Sequence, residues 1–516
     1  MPTDPSTIDV NIRLASSGDA PVSGPTSDMP FRIAVMGDFT GRMNRKVSES
    51  LRDRRPVPVD RDTCAAVLAG LSPELVLGFA GDGEAGVPIR IRELEDFHPE
   101  RLFETLAVFQ ELRQVLRDLE DPRTVESAAA RIASWTGDDR STGKAAPPER
   151  EADEGPQEAG GGILDRILDE AEGAVDAPKP GAGRSAWDRF LGAIASSCRA
   201  APEDPRRDAL HTVVSGMISE IMRRILHHPD FQRLEALWRG VWQLVTDLET
   251  DEWLSIHLLD ITWAELSADL SGSENGADSD IYRLLVQEAV RTPGAFPWAV
   301  AAGCYAVGSA ADVVVLARMA RISAAAGAPF LSAADSRLIG CASIAETPDP
   351  RDWRPEADVN AALKALRGRP EAVSVGLALP RFLVRMPYGP ETDPVDGFDF
   401  EEMGEPPRHE DYLWGDPALF CLLIMGRSFS RDGWDLRPER GLEIGGLPLH
   451  LFREGGERAV KPCAEVLLTE TAALRIIEMG IMPLLSIKNR DVVRLGRFQS
   501  LSDPPARLSG RWDAHE

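Results

Sequence analysis

Ile8, Val10, Ile12 and Leu14 alternate with Asp9, Asn11 and Arg13. A period of two predicts a strand with one apolar face. A spacer rich in Gly, Pro and Ser follows, so this strand has no obvious local partner. Next comes Phe31-Arg32-Ile33-Ala34-Val35-Met36, expected as a buried strand, which runs into Gly37-Asp38-Phe39-Thr40-Gly41-Arg42. Leu102, Leu106, Phe109, Leu112, Leu116 and Leu119 recur at spacings of three and four. That periodicity predicts one amphipathic helix whose stripe must pack on something. Ile218, Ile221, Met222 and Ile225 share a helical face, and Leu254-Ser255-Ile256-His257-Leu258 alternates as a strand. Helical and strand patterns continue to alternate through 311–326, 375–379, 418–425 and 482–487. Such alternation predicts an α/β (α+β) layered domain.

The sharpest break lies between Gly137 and Ser185, which hold 14 Gly or Pro, 12 acidic and 6 basic residues. Such a segment cannot bury enough apolar surface to offset its ordering entropy, so it is expected to be a solvated, disordered linker. Three regions follow: 1–136, a linker at 137–187, and 188–516. Inside the linker, Ile163, Leu164, Ile167, Leu168 and Ala171 give a short amphipathic helix at 162–172. It is expected either to dock in a partner's groove or to fold back onto its own domain.

The chain has 516 residues, 43% hydrophobic and 27% charged, which excludes a wholly disordered protein. Lys+Arg number 57 against 83 Asp+Glu, a net charge of −26. A surface this acidic repels phosphate backbones and anionic membranes, which argues against nucleic acid as a main partner. The Met1-Pro2-Thr3-Asp4-Pro5 start lacks a basic and an apolar region, so no signal peptide is expected. The longest uncharged stretch, 292–311, contains Pro293, Gly294 and Pro297 and is read as a buried helix and turn rather than a membrane span. The scattered cysteines (Cys64, Cys198, Cys304, Cys341, Cys421, Cys463) read as buried thiols of a cytoplasmic protein.

Candidate chemistry is sparse. Gly37–Gly41 follows a strand, but Arg42-Met43 stands where a phosphate loop needs Lys and a hydroxyl. His227-His228 are adjacent on a helix and point about 100° apart, which suits capping or packing better than a shared metal. His409-Glu410-Asp411 and His450 lack a spaced second group. The expectation is therefore no enzyme, no cofactor, no metal and no catalytic residue.

Two blocks of sequence do carry a resemblance. PFRIAVMGDFTGR (30–42), followed by PVPVDRD (56–62), resembles the small subunit of the type VI secretion contractile sheath. FQRLEALWRGVWQLV (231–245), SDIYRLL (279–285), MARISAAAGAPFLSAA (319–334) and VGLALPRFLVRMPYG (375–389) resemble the large subunit. FDFEE (398–402), HEDYLWGDPA (409–418), GLPLH (446–450), KPCAEVLLTE (461–470) and MPLLSIKNRDVVRLGRFQSL (482–501) continue the series in family order. The resemblance implies a fold of layered mixed sheet and helices with a helical peripheral region. It implies a structural protein in which both subunits are fused, assembling as a helical tube around an inner tube and contracting to drive effector delivery. The implied partners are other sheath protomers, the inner-tube ring protein, the baseplate and a hexameric ATP-driven unfoldase, with no nucleic acid and no membrane insertion. The alternative is a sheath-like adaptor or regulator that binds a sheath end or baseplate without polymerising.

The resemblance also assigns residues. Ile163, Leu164, Ile167 and Leu168 match the helix on which the unfoldase docks, and Ile8, Val10, Ile12 and Leu14 match the strand exchanged between protomers. Cys304-Tyr305-Ala306 departs from the family's Asp-Tyr-Glu, so different local contacts are expected there. The family's large subunit continues past Gln499-Ser500, so its C-terminal strands are expected to be absent from this chain.

Overall fold

The computed structural model describes residues 29–78, 86–121, 123–136, 207–272 and 276–515, together with Pro25, Leu191 and Ile194. The strand expected at 8–14 and the helix expected at 162–172 lie outside the described residues.

Strands β1 (Phe31–Gly37), β2 (Val57–Val59), β5 (Leu254–Asp260), β6 (Val300–Val307), β7 (Phe330–Ala334), β8 (Val375–Leu379), β11 (Glu443–Ile444), β14 (Ile481–Ser486) and β15 (Val493–Leu495) build one sheet. Its order is β11-β15-β14-β8-β7-β6-β1-β5-β2. From β14 to β5 neighbouring strands run parallel; β2, β15 and β11 are antiparallel additions at the edges. Parallel strands covered on both faces read as continuous apolar runs, which is how β1, β7 and β8 look in sequence. Three two-stranded ladders stand apart: β3 (Glu74–Leu77) with β4 (Val87–Arg90), β9 (Phe382–Leu383) with β10 (Trp414–Gly415), and β12 (Leu451–Glu454) with β13 (Glu457–Val460).

Helices lie on both faces. After α1 (Cys64–Leu71), one layer holds α2 (Pro99–Thr105), α3 (Ala107–Glu120), α4 (Val125–Thr136), α5 (Arg207–Leu226) and α6 (Pro229–Asp247). The other holds α7 (Trp263–Ser271), α8 (Ala310–Ala326) and α9 (Ala357–Arg367). Helix α10 (Pro417–Asp432) joins the first layer and α11 (Glu470–Glu478) the second. Strand β1 feeds both: Phe31, Ile33 and Val35 enter the core of the first layer, Ala34 and Met36 that of the second.

Two readings of the sequence need correction. The stripe from Leu102 to Leu119 is two helices, because Leu106 is extended (φ −76°, ψ 133°) between α2 and α3. Five of its six side chains are buried and Leu116 is partly so, so the stripe is a packing face despite the break. The stretch 292–311 is not a helix and turn: a Pro- and Gly-containing loop leads into β6, whose alanines lie between β1 and β7. Among the described residues no helix is long and apolar enough to cross a membrane.

The position of β1 has a direct consequence. All seven of its residues register with β5, and Ile33–Met36 also register with β6. Expressed alone, residues 1–135 are expected to aggregate or stay partly unfolded, because β1 would expose two ladders and two apolar faces. A sharp thermal transition from a soluble fragment of that span would refute the interlocked sheet.

Candidate functional site

In doubly wound sheets, ligands sit in the crevice outside the carboxyl ends of the strands. Here that crevice is filled by the chain's own Arg42. Strand β1 ends at Gly37, and Gly41, at φ +71°, turns the chain where a Cβ would meet the Glu74 carbonyl oxygen at 2.7 Å. The Asp38 carboxylate accepts from the Arg42 and Met43 amides at 2.8 and 2.9 Å and so holds the turn closed.

The Arg42 side chain is 4% exposed. Its Nε and Nη2 donate to the two oxygens of Glu265 at 3.1 and 2.8 Å, and Nη1 pairs with Asp260 at the end of β5. Nη2 also reaches the Asp260 carbonyl oxygen at 3.0 Å, and Nη1 reaches Thr40 Oγ1 at 2.7 Å. Asp260 accepts in turn from the Phe39 amide and the Thr40 hydroxyl at 2.9 and 3.0 Å. Glu265 is the third residue of α7 and closes its capping box with Thr262, so the group that caps the helix also neutralises Arg42. Arg54 stands 3.8 Å from Asp260 and 3.7 Å from Glu265. Burial alone would push the Glu265 carboxyl up, but the Arg42 fork and the Thr262 and Glu49 amides hold it below its usual range. Burial likewise opposes charge on Arg42, and the two carboxylates more than offset it. Asp38, largely desolvated and near Asp260, is raised.

A second buried network joins α6 to the loop after β9. Arg385 donates to Glu235 at 2.8 Å and, as a fork, to Glu402 at 2.7 and 2.9 Å. Arg239 shares Glu235 at 2.7 Å and donates to the Tyr388 hydroxyl at 3.0 Å. The Tyr388 amide donates to Glu402 at 2.7 Å, and the Tyr388 ring meets His98 edge-on at 4.8 Å. Burial works against charge on Glu402, yet the Arg385 charge holds it down to about 2.

The histidines singled out by sequence are all absorbed in packing. His228 caps α6, its ring accepting from the Asp230 amide at 3.2 Å. His227 lies 3.6 Å from Glu402 and 3.3 Å from Asp411. His409 takes the Lys461 ammonium on Nδ1 at 2.8 Å, which leaves its Nε2–H to face Glu465 at 3.2 Å. His450 Nδ1 meets the Tyr412 hydroxyl at 2.8 Å. Cys64, Cys341, Cys421 and Cys463 are buried thiols. Burial, with a nearby carboxylate in each case, pushes Cys64, Cys341 and Cys463 up to about 11, so none is a ready nucleophile. Cys304 is partly buried and raised by desolvation and by the Asp416 charge. Among the described residues no group of three or more His, Cys, Asp or Glu could hold a metal ion. The strand residues Ile8, Val10, Ile12 and Leu14, the docking-helix residues Ile163, Leu164, Ile167 and Leu168, and Cys198 lie outside the described residues.

Sequence reasoning missed both networks. Arg42 and Asp260 are 218 positions apart, and nothing in local spacing links them. The available signal was charge inside otherwise conspicuous stretches: Arg42 at the end of 30–42, Arg385 in 375–389 and Glu402 in 398–402.

What the geometry does is join. Arg42, Asp38 and Thr40 come from the region 1–136; Asp260 and Glu265 come from the region 188–516. Comparison with known proteins gives the same pairing. A family model described as "Type VI secretion system, VipA, VC_A0107 or Hcp2" matches residues 10–136. One described as "EvpB/VC_A0108, tail sheath N-terminal domain" matches residues 208–502. The chain is similar to the type VI secretion system sheath protein TssC1 of Pseudomonas aeruginosa, 37% identical over 292 residues. That alignment covers 54% of this chain and 58% of that protein, so the chain spans less than two thirds of this relative's length.

Arg42→Met is expected to cost about 3–5 kcal/mol at pH 7, since it leaves two buried carboxylates with only Arg54 nearby. In the wild type the depressed Glu265 contributes stability above its ordinary range, which is lost as acid drives the pH through its lowered folded value. Without Arg42 burial would push the Glu265 carboxyl up instead, so the penalty should shrink as the pH falls from 7 toward about 4. Urea unfolding at both pH values checks this; a loss below about 1 kcal/mol at pH 7 would show that the network carries no weight.

Proposed function

We propose that this chain, which belongs to the tail-sheath family of type VI secretion systems, is a fused structural protomer of a contractile sheath. Copies stack into a helical tube around an inner tube, and contraction of that tube drives effector delivery. The observation that supports this reading is the union of both family matches in one sheet: β1, from the region that matches VipA, is an interior strand among strands from the region that matches the sheath model. Fusion fixes one-to-one stoichiometry and raises the effective concentration of one part for the other. The assignment is of a structural protein, with other protomers, the inner-tube protein and the baseplate as partners. Electron microscopy of the purified full chain should show tubes. Discrete particles alone, at any protein concentration tested, would instead favour an adaptor that keeps the sheath fold without polymerising.

The reading includes recycling. Ile163, Leu164, Ile167 and Leu168 are proposed as the docking helix for a hexameric ATP-driven unfoldase, and Ile8–Leu14 as a strand donated to a neighbouring protomer. Ile167→Asp with Leu168→Asp would place two charges in an apolar groove and should weaken binding to the unfoldase's N-terminal domain by at least about a hundredfold. Titration of both proteins measures it, and equal affinities would sink the docking assignment.

A further inference from the structure

At the opposite end of the sheet from Arg42, a groove of about 560 Å³ opens where β1, β5 and β6 begin. Arg32, Ser255, His257, Leu284, Phe296 and Trp298 line it. Arg32 and Ser255 are register partners on β1 and β5, and His257 lies one step further along the same face. The Arg32 guanidinium lies 4.0 Å from the centre of the Trp298 ring and donates through Nη1 to the Phe296 carbonyl. Among the described residues it has no carboxylate partner, and burial alone lowers it. A guanidinium has five N–H donors in a fork that fits a carboxylate, and most of these are unspent here. His257 supplies no counter-charge: its Nε2 meets Ser255 Oγ at 3.2 Å, and burial beside Arg32 pulls the ring down to about 4.

The groove wall is irregular in an informative way. Arg283–Gln287 is a π-turn inside an otherwise α-helical segment, a feature that recurs at functional sites. It presents the Leu284 carbonyl to Trp298 Nε1 at 3.5 Å and so fixes the indole over which Arg32 lies. Phe296 on the rim is 51% exposed. Of the acids that also line the groove, Glu288 is held by Arg283 and Glu252 is exposed.

We infer that this groove is a contact site between copies of this chain, in which Arg32 receives a surface carboxylate of a second copy while Phe296 and Trp298 cover the adjoining apolar surface. The inference rests on the sheath reading for the need of copy-to-copy contact. The occupant follows from charge: copies at −26 each repel, so close approach requires carboxylates of one to be seated on cations of the other. Buried cations such as Arg42 and Arg385 are spent on the chain's own carboxylates, whereas Arg32 is not.

Sedimentation velocity of the full chain over a concentration series tests this, with Arg32→Met, Arg32→Lys, Phe296→Ser and, as a control, Arg351→Gln at an exposed arginine. Wild type should self-associate, and Arg32→Met and Phe296→Ser should weaken that association at least about tenfold. Arg32→Lys should recover part of it, and Arg351→Gln should leave it unchanged. The melting temperature of Arg32→Met should hold or rise, because an unpaired half-buried charge is removed. Wild type that stays monomeric overturns the inference, as does equal association in Arg32→Met, or a weakened Arg32→Met whose melting temperature falls with it. Sodium phenylacetate that binds the monomer through Arg32 without affecting association would assign the groove to a small acid instead and likewise overturn it. Tubes formed equally well by Arg32→Met would also overturn it and leave the sheath reading standing. Arg32-dependent dimers without tubes would do the reverse.

Discussion

Everything in this structure hangs on one strand being inserted between two others that follow it by more than 200 residues. Strand β1 forms a parallel ladder with β5 over seven residues and with β6 over four. A parallel pair cannot be made by a hairpin and needs a long connection, so here sequence order alone requires large loops to close. What offsets that entropy is burial on both faces. Phe31 stacks on Phe429 at 4.7 Å and lies against Trp434 at 5.5 Å, while Trp434 Nε1 donates to the Met29 carbonyl at 2.8 Å. On the other face Met36 and Ala34 join Leu259, Ile261 and Tyr305. The two parts of the chain thus share a core, and neither layer is complete without residues 31–37.

Apolar burial alone does not specify which strand should occupy that slot, since several runs in this chain are equally apolar. The buried ion networks provide the selectivity. Placed wrongly, a strand ending in Asp38–Arg42 would bury a guanidinium without Asp260 and Glu265, at a cost of several kcal/mol. Placed correctly, every member is paired, and the helix cap of α7 is completed by the same carboxylate. The Arg385–Glu402–Glu235 network plays the same part between α6 and the loop after β9, and the His98–Tyr388 contact carries it across to the first part of the chain. Such pairs add little net stability beyond what apolar groups of similar volume would give; their effect is to penalise alternatives.

How much of this was legible in the sequence depended on the range of the interaction. The strands at 31–36, 254–258 and 375–379 could be read because burial leaves an apolar imprint within the strand itself. The helical pattern at 311–326 could be read and corresponds to α8, whose ends Ser309 and Gly327 cap in the structure. Where local signals were ambiguous the reading failed: the stripe 102–119 keeps helical spacing across the extended Leu106, and the alanines of β6 favour helix in isolation but are overridden by neighbours on both sides. The joining site was illegible for a different reason. Its charges lie in segments 218 positions apart, and with 83 carboxylates no pairing could be singled out by spacing. The family resemblance identified the stretches that matter, but the contacts inside them needed the fold.

The two arginines of the β1 region show how the same residue type acquires opposite roles from sheet position. Arg42 lies beyond the carboxyl end, where β5 ends in Asp260 and α7 begins with a capping glutamate, so the fold itself supplies two anions. Arg32 lies near the amino end, where its neighbours are Ser255 and an imidazole held neutral by burial; Trp298 gives it an aromatic face, and of the two acids lining the groove Glu288 pairs with Arg283 and neither pairs with Arg32 among the described residues. A cation that the fold satisfies is spent on cohesion; a cation that the fold stacks on an indole but leaves without an anion retains its capacity to recruit one. In a chain whose surface is otherwise dominated by carboxylates, that asymmetry along a single strand separates the end of the sheet that locks the two regions together from the end that stays receptive.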